Sequence, residues 1–379
     1  MRELGRRQAL CGLGGLVAAA AGGAGAAGCD ASRAHAASRR TAAGTLLWRL
    51  RTGAGNIQLA LATADGMVYA KGAAPPVHAA VTYGIDAASG QVVWRTHRPV
   101  IDLTYAAGDG TVAGFAPSSK GRYTVAALAA RTGKALWTYD LGGTTTVIGY
   151  VLFYAEGLVI AQAPQPGLVA LEARTGHRVW STGLTEPRLP GWLAIGNEAV
   201  YTSTGTGRLL AMDAATGVSL WKASTSHGLG SLALAGSVVC GLAGGRVFAF
   251  DSATGGHLWN SELGAGASYT LGPAVAGDTV FFIRDPPDGG PFAISALDAK
   301  TGARAWTRGP ARGQRLLTLN TDSRSLYLGM SDGTLLALAA ATGRTRWSQR
   351  LGAPVQRIVA AAEAVYAADA HGVVHAFTT

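Results

Sequence analysis

Short runs of apolar residues alternate with polar turns along most of the chain, with the two-residue period of half-buried β-strands. Between residues 231 and 251 the runs SLALAG, SVVCGLA and RVFAFD follow one another closely, and a fourth run leads to Trp259. Four short strands joined by tight turns in about 42 residues correspond to one blade of a β-propeller. The pattern therefore predicts an all-β protein built from repeated four-stranded antiparallel blades.

Tryptophan recurs at nearly constant spacing and marks this repeat. Successive members of the series are separated by 46, 43, 43, 41, 38, 47 and 41 residues, and only Trp192 falls outside it. The members are Trp48, Trp94, Trp137, Trp180, Trp221, Trp259, Trp306 and Trp347. One pattern precedes seven of the eight, in the copies GIDAASGQVVW (84–94), ALAARTGKALW (127–137), ALEARTGHRVW (170–180), AMDAATGVSLW (211–221), AFDSATGGHLW (249–259), ALDAKTGARAW (296–306) and ALAAATGRTRW (337–347). Copies with a fixed internal spacing predict stacked structural units.

Each copy has the features of a β-hairpin with a chemically specified turn. The glycine supplies a positive φ, and the Asp and Thr side chains bond to exposed turn amides. The tryptophan is predicted to pack as a flat plate on the neighbouring blade, with its N–H donating to a backbone carbonyl. Carbohydrate stacking is the alternative role in an exported protein, but regular spacing on a repeated strand favours burial.

The eighth blade is predicted to be assembled from both ends of the chain. The last unit ends in HGVVHAFTT, a third strand without a fourth, and GTLLWRL (44–50) is a fourth strand without a third. Pairing of Thr45–Leu50 with Val373–Phe377 would complete this blade. We therefore expect an eight-bladed β-propeller over residues 44–379, with the ring closed by an N-terminal strand that joins the C-terminal blade.

The N-terminal residues have the anatomy of an export signal. Arg6 and Arg7 form a twin-arginine pair before an uncharged, weakly apolar stretch that ends in AAGC at Cys29. We interpret residues 1–29 as a twin-arginine-like lipoprotein signal peptide that leaves Cys29 lipidated, and residues 30–43 as a flexible basic linker. This predicts a protein anchored by lipid on the outer face of the cytoplasmic membrane. Cleavage after Ala36, in the sequence AHA, is the alternative and would give a soluble secreted protein.

Composition and charge narrow the class of partner. Hydrophobic residues make up 48% of the chain and charged residues 14%, which favours a folded protein. The net charge is +10, or +8 without residues 1–29, which hold three arginines and one glutamate. Outside the cytoplasm this surplus suits anionic lipid headgroups or wall polymers, and no nucleic-acid partner is predicted. A purely solubilising role of the linker arginines is the alternative interpretation.

Few residues after the signal have the spacing of a chemical site. Cys240 is the only cysteine after Cys29 and lies in the apolar run SVVCGLA, so we expect a small core residue rather than a reactive thiol. His371 and His375 are four residues apart, one in a turn and one on a strand, and both are interpreted as structural rather than as metal ligands. No metal site and no cofactor are predicted.

The pattern A-x-D-x-x-T-G-x-x-x-W resembles the tryptophan-docking motif of the pyrroloquinoline-quinone (PQQ) repeat family. The resemblance covers nearly the whole chain after residue 43 and implies the eight-bladed propeller of that family. Ser89 replaces the threonine in the first copy, and Ala129, Glu172 and Ala339 replace the aspartate in three others. These departures are expected to loosen those turns locally.

Function transfers less readily than fold. The family includes quinoprotein alcohol dehydrogenases, which carry two adjacent cysteines over the quinone, Ca²⁺ ligands from Glu, Asn and Asp, and an aspartate base. This chain has no adjacent cysteine pair and is more similar to envelope lipoprotein propellers of the outer-membrane assembly machinery, which act as scaffolds. The resemblance therefore implies a non-enzymatic, monomeric lipoprotein that binds an envelope protein or senses a ligand. The alternatives are a PQQ-dependent dehydrogenase and a binder of anionic wall polymer or carbohydrate.

The loops that lead from the outermost strand of one blade to the innermost strand of the next converge at one end of such a propeller. Alignment of the units places seven residues near these loops, and we call them the mouth: Gln58, Asp102, Arg188, His227, Tyr269, Arg315 and Arg357. Three arginines outnumber one aspartate, so the mouth is predicted to be positive and to attract an acidic peptide or anionic polymer. Ordinary solvated loop residues are the alternative interpretation.

Overall fold

The structure is a computed structural model, and its described residues cover most of the chain after residue 41. The described ranges are 42–52, 56–74, 79–97, 106–117, 122–144, 152–163, 167–183, 193–225, 228–263, 273–284, 292–309 and 314–379. The predicted signal peptide, Cys29 and nearly all of the predicted linker lie outside these ranges.

Every regular element in the described ranges is a β-strand, and the strands form eight four-stranded sheets, which we number as blades. Blade 1 comprises β2 (Asn56–Ala64), β3 (Met67–Ala74), β4 (Ala79–Asp86) and β5 (Val92–Thr96). Blade 2 comprises β6 (Ala106–Gly108), β7 (Thr111–Pro117), β8 (Arg122–Ala129) and β9 (Ala135–Thr144). Blade 3 comprises β10 (Leu152–Ala155), β11 (Leu158–Ala163), β12 (Gly167–Glu172) and β13 (Arg178–Ser181). Blade 4 comprises β14 (Leu193–Gly196), β15 (Ala199–Ser203), β16 (Arg208–Asp213) and β17 (Ser219–Ser224).

The remaining blades follow the same order along the chain. Blade 5 comprises β18 (Gly230–Ala235), β19 (Val238–Ala243), β20 (Arg246–Asp251) and β21 (His257–Glu262). Blade 6 comprises β22 (Ala274–Ala276), β23 (Thr279–Arg284), β24 (Ala293–Asp298) and β25 (Arg304–Arg308). Blade 7 comprises β26 (Leu316–Thr321), β27 (Ser325–Met330), β28 (Thr334–Ala339) and β29 (Thr345–Arg350). Blade 8 comprises β30 (Val355–Ala360), β31 (Ala364–Asp369), β32 (Val373–Thr378) and β1 (Leu46–Arg51).

The ring is closed by the two ends of the chain. Within each blade the strands are antiparallel, and the first strands of neighbouring blades contact one another, as β30 does with β26 and β2, so these strands are innermost. In blade 8, β1 pairs with β32 from Arg51 opposite Val373 to Leu46 opposite Phe377. The predicted eight-bladed propeller and its closure by the N-terminal strand are therefore confirmed.

The hydrophobic core lies between the blades. Leu61 and Val68 of blade 1 pack in one cluster with Tyr366 and Val374 of blade 8, and all four are at most 4% exposed. Full burial of one such side chain stabilises the fold by about 1.5–3 kcal/mol. Because each blade buries its faces only against its neighbours, no blade has a complete core of its own.

The fourth strand of every blade carries a β-bulge one residue before its tryptophan. In blade 4, Trp221 lies opposite Ala211 and Ser219 opposite Met212, so Leu220 has no opposite residue. A bulge breaks the alternation of the strand, so two consecutive side chains before the tryptophan are exposed, and Leu220 is 54% exposed. The bulges therefore place aliphatic side chains on the outer rim of the ring.

Candidate functional site

Seven of the eight repeated tryptophans dock onto the following blade in the same way. Each indole Nε1 donates to the carbonyl three residues before the turn glycine, at 2.8 to 3.0 Å. The pairs are Trp48–Ala87, Trp94–Ala130, Trp137–Ala173, Trp180–Ala214, Trp221–Ser252, Trp259–Ala299 and Trp306–Ala340. These indoles are committed to contacts between blades and are not free to stack on a sugar.

The turn glycine and a second aromatic residue complete each docking position. Gly90 has a φ of +72°, and a Cβ built there would lie 2.5 Å from Cδ2 of Trp48. Glycine is therefore required both by the backbone conformation and by the space that the indole occupies. The ring of Tyr69, on the second strand of blade 1, lies 6.1 Å from the ring of Trp94. The sequence pattern did not single out such aromatic partners, although they recur as Tyr201 beside Trp221.

The Asp and Thr side chains of the motif hold the turn together. In blade 4, Asp213 Oδ1 accepts hydrogen bonds from the hydroxyl and the amide of Thr216, at 2.7 and 2.8 Å, and these bonds lower the pKa of Asp213. Where Ala129 replaces the aspartate, the Gly133 amide still donates to the Ala129 carbonyl at 2.8 Å. The backbone bond that closes the turn therefore persists without the carboxylate.

Trp347 docks at the junction of the two chain ends, and its contacts differ. A Cβ built on Gly44, where φ is +78°, would lie 2.6 Å from Cγ of Trp347. The Gly44 amide donates to the Thr378 carbonyl at 3.0 Å. The equivalent bond in blade 4 runs from the Gly217 amide to the Asp213 carbonyl at 2.8 Å, within one continuous turn. Trp347 Nε1 is buried and has no hydrogen-bond partner among the described residues.

A buried contact between a histidine and an aspartate lies in the hairpin between β31 and β32. His375 Nε2 is 3.0 Å from Asp369 Oδ2, and their side chains are 10% and 3% exposed. Asp369 Oδ1 accepts the amides of His371 and Val373 at 2.9 and 3.0 Å. Burial alone would raise the pKa of Asp369, but the bonds from His375 and these amides outweigh it and lower the pKa. Asp369 thus contacts both histidines, the backbone amide of His371 and the ring of His375. The spacing of four residues between the histidines did not reveal this role of Asp369.

Metal-binding and thiol chemistry have little support in the described part of the chain. No three His, Cys, Asp or Glu side chains lie close enough there to hold a metal ion. Cys240 is buried in β19, and this burial raises the pKa of its thiol to about 12. The thiol is therefore protonated at neutral pH and unreactive as a nucleophile.

The predicted mouth lies only partly within the described ranges. Outside them are Asp102, Arg188, His227 and Tyr269. Gln58 is described only by its backbone position in β2, whereas Arg315 is exposed directly before β26 and Arg357 is half-buried in β30. Since β26 and β30 are contacting innermost strands, Arg315 and Arg357 stand at the starts of neighbouring strands. The structure thus brings two of the predicted arginines to the same end of the ring.

Arg357 is a half-buried cation without a carboxylate partner among the described residues. Burial lowers the pKa of its guanidinium, and its Nη1 donates to the Gln356 carbonyl at 2.9 Å. The remaining N–H donors of the Arg357 guanidinium suit a carboxylate or phosphate oxygen. An acidic side chain lies beside the residue before Arg315, because Gln314 Nε2 donates to Asp332 Oδ2 at 3.1 Å.

Comparison with known sequences relates the chain to two groups of proteins. Residues 77–308 and 290–379 match the sequence profile of the family described as outer membrane protein assembly factor BamB. The quinohemoprotein alcohol dehydrogenase of Comamonas testosteroni is 30% identical over 112 residues, which are 27% of this chain and 16% of that protein. The chain therefore matches only a small part of the length of this curated relative.

Solved structures with the same fold have different functions. BamB from Moraxella catarrhalis aligns with a TM-score of 0.62 at 18% identity, over 89% of this chain and 100% of that one. The computationally designed Ika8 protein aligns with a TM-score of 0.66 at 17% identity, over 89% of this chain and 100% of that one. The quinohemoprotein alcohol dehydrogenase of Comamonas testosteroni aligns with a TM-score of 0.60 at 14% identity, over 88% of this chain and 76% of that one. An assembly factor, a designed protein and an enzyme thus share one ring, so the fold alone does not select the function.

The chain lacks features that a quinone site of the dehydrogenase type requires. The dehydrogenases of the PQQ family use adjacent cysteines, whereas Cys240 is the only cysteine of the propeller and is buried between blade strands. The described residues provide no cluster for a Ca²⁺ ion. The cysteine content of the chain and its described residues therefore do not fit a quinone site of that type.

Proposed function

We propose that this chain, which belongs to the family of the outer membrane protein assembly factor BamB, is a non-enzymatic scaffold of the bacterial cell envelope that binds another envelope protein. The family match carries this proposal, because it runs from residue 77 to residue 379 and so includes most of the propeller. The ring supports it physically, since seven docked tryptophans and a closed blade 8 make a rigid platform.

The binding site in this proposal is the mouth, with Arg357 as its central cation. A half-buried guanidinium is already partly desolvated, so a carboxylate that reaches it forms a charge-assisted hydrogen bond at little further cost. Such bonds contribute about 1.5–3 kcal/mol. Arg188 and Arg315 add positive charge that attracts an acidic segment before contact. The partner is accordingly an envelope protein with an acidic, extended segment.

The location in this proposal is the outer face of the cytoplasmic membrane, with a lipid on Cys29 as the anchor. The twin arginines Arg6 and Arg7 and the AAGC sequence support it. Among the described residues, no helix is both long and apolar enough to span a membrane. Replacement of Cys29 by Ala is expected to leave the precursor unprocessed or release the protein to the medium. Unchanged processing and membrane partition would refute lipidation and favour cleavage after Ala36.

The partner is tested by crosslinking and pull-down from the envelope fraction, followed by affinity measurements with the captured protein. The variant reverses Arg188, Arg315 and Arg357 to Glu. Its positional control is the single reversal Arg324→Glu, because Arg324 is exposed in the turn after β26, at the opposite end of that strand from Arg315. The triple variant is expected to bind at least about tenfold more weakly and with less salt dependence. Equal affinity and salt dependence in the triple variant and the parent would exclude the mouth as the binding site.

A further inference from the structure

The outermost strands of the blades differ in charge around the ring. Those of blades 6, 7, 8 and 1, namely β25, β29, β1 and β5, contain seven arginines and no acidic residue, and we call them the basic rim. The arginines are Arg304, Arg308, Arg346, Arg350, Arg49, Arg51 and Arg95. The outermost strands of blades 2 to 5, namely β9, β13, β17 and β21, carry Asp140, Arg178, Lys222 and Glu262 and are neutral overall. The positive charge of the outer edge is therefore concentrated on four consecutive blades.

Four arginines of the basic rim are available to a ligand. The side chains of Arg49, Arg51 and Arg95 are exposed and form no ion pair or hydrogen bond within the described part of the chain. The Arg350 side chain is 74% exposed and lies 4.0 Å from the Asp332 carboxylate, a contact that contributes little in water. These four guanidinium groups keep most of their donors for an external acceptor.

The other three arginines bind protein groups but stay on the same edge. Arg304 donates to the Glu262 carbonyl at 3.1 Å, and Arg308 donates to the Gly343 carbonyl at 2.7 Å. Arg346 donates to the hydroxyl of Ser325. None of these acceptors is a carboxylate, so the three positive charges are not neutralised by their partners and add to the potential of the rim.

Exposed aliphatic side chains flank three of the four available arginines, Arg49, Arg51 and Arg95. Leu46 and Leu47 on β1 are each 47% exposed, and Val92 and Val93 on β5 are 41% and 50% exposed. The bulge before each tryptophan holds these pairs outward. Cations interleaved with aliphatic groups match the boundary between lipid headgroups and acyl chains.

The N-terminal segment joins the propeller at the basic rim. Ala42 accepts hydrogen bonds from the hydroxyls of Thr45 and Thr378, so the chain enters the ring beside β1. Ala42 is thirteen residues after Cys29, a distance of at most about 45 Å when fully extended. A lipid on Cys29 would thus keep β1 near the membrane and raise the local concentration of the rim at its surface.

We infer that the basic rim rests against an anionic membrane surface, with Arg49, Arg51, Arg95 and Arg350 at the lipid headgroups. This inference depends on the lipid anchor of the proposed function, and it gives the tethered propeller a defined orientation. With blades 8 and 1 at the membrane, the neutral outermost strands β9, β13, β17 and β21 face away from it. The mouth then opens to the side, where an envelope protein can approach.

The test measures binding of the full chain carrying Cys29→Ser, which has no lipid, to vesicles of 30% phosphatidylglycerol in phosphatidylcholine and of phosphatidylcholine alone. The rim variant replaces Arg49, Arg51, Arg95 and Arg350 by Gln. The matched control replaces four exposed cations of blades 2 to 4 by Gln, namely Lys134, Arg174, Arg178 and Lys222. The two variants have the same net charge, and thermal unfolding checks that both are folded.

The rim variant is expected to bind the anionic vesicles about a thousandfold more weakly than the parent, because each of its four basic residues at a headgroup surface adds about 1 kcal/mol. The control is expected to stay within about threefold of the parent, since its cations lie on blades 2 to 4, outside the basic rim, and charges beyond a Debye length of about 10 Å are largely screened. Equal losses in the two variants, or no loss in either, would overturn the inference. A rim variant that loses binding to soluble polyglutamate but not to vesicles would instead assign the rim to a polymer.

These outcomes are separable from those of the proposed function. If Cys29→Ala leaves processing unchanged, the anchor is wrong, whatever the vesicles show. If the mouth variant loses its protein partner while the rim variant binds vesicles like the parent, the scaffold proposal stands and only the membrane orientation is wrong.

Discussion

The Gly44 amide donates a hydrogen bond to the Thr378 carbonyl at 3.0 Å, and this bond joins the two ends of the described chain. The Thr45 amide adds a second bond, to the Thr378 hydroxyl at 3.0 Å. In the other blades the corresponding turn is one continuous segment whose glycine donates to the residue four positions before it, as Gly217 does to Asp213. Blade 8 therefore reproduces the turn of its neighbours from two separate pieces of chain.

Replacement of Gly44 by Ala is expected to destabilise the propeller by about 2–5 kcal/mol, since a left-handed φ strains alanine by about 1–2 kcal/mol and overpacking adds about 1–3 kcal/mol. The new Cβ would lie 2.6 Å from Trp347. Gly352→Ala is the matched control, because φ there is +81° and no atom lies within 4 Å of the built Cβ. The urea concentration at the midpoint of unfolding should be highest for the parent, lower for Gly352→Ala and lowest for Gly44→Ala. Equal losses in the two variants would show that Trp347 does not fill this space.

Replacement of Trp94 by Phe is expected to cost about 1–2 kcal/mol more than replacement of Trp347 by Phe. Both tryptophans are 8% exposed, but Trp94 Nε1 donates to the Ala130 carbonyl at 2.8 Å, whereas Trp347 Nε1 has no partner among the described residues. Within the described ranges, loss of the indole N–H therefore breaks a bond only in the first variant. Urea unfolding of the two variants measures the difference, and a larger loss for Trp347→Phe would contradict it.

The turn carboxylates predict a loss of stability in acid. Hydrogen bonds from Thr side chains and amides lower the pKa values of Asp213, Asp251 and Asp298 from 3.8 in the folded state. A depressed folded pKa contributes stability that is present above about pH 4 and is lost as the pH falls through the folded value. The variant Asp213→Ala/Asp298→Ala should melt below the parent at pH 7, and the gap in Tm should narrow from pH 4 to pH 2. A gap that stays constant over this range would contradict the assignment.

Purified protein supplied with PQQ and Ca²⁺ is expected to show no dye-linked oxidation of alcohols or sugars. The physical reason is the absence of an adjacent cysteine pair, together with a protonated, buried Cys240 whose thiol cannot act in its place. A quinoprotein alcohol dehydrogenase assayed in parallel is the positive control. Robust turnover by the protein would overturn the non-enzymatic proposal and favour the quinoprotein alternative.

The architecture could be predicted because its determinants are local and repeated. The spacing of the tryptophans and the two incomplete units at the ends were sufficient for eight blades and for the pairing of β1 with β32. It could not be predicted that Trp347 Nε1 has no partner among the described residues, because its surroundings combine segments more than 300 residues apart in the sequence. The hydrogen-bonded contact of His375 with Asp369 also depends on hairpin geometry that residue spacing alone does not give.

The two charged surfaces were accessible to sequence reasoning to different degrees. Alignment on the tryptophans placed Arg315 and Arg357 at the same end of the ring, but burial of the Arg357 guanidinium required coordinates. The asymmetry of the basic rim was present in the aligned fourth strands, and a count of charges strand by strand would have found it. The exposure of Leu46 and Leu47 was not foreseeable, because the bulge interrupts the expected alternation.

The junction of β1 with β32 also determines the order in which the protein folds. Seven blades pair strands that are close in sequence, whereas blade 8 must join Trp48 to Ala376. Contacts between distant segments form late, so closure is expected to be the last and slowest folding step. Until then β32 presents an unpaired edge, which can accept β1 of a second chain as readily as its own. Newly made chains at high concentration are therefore prone to domain swapping through exchange of β1.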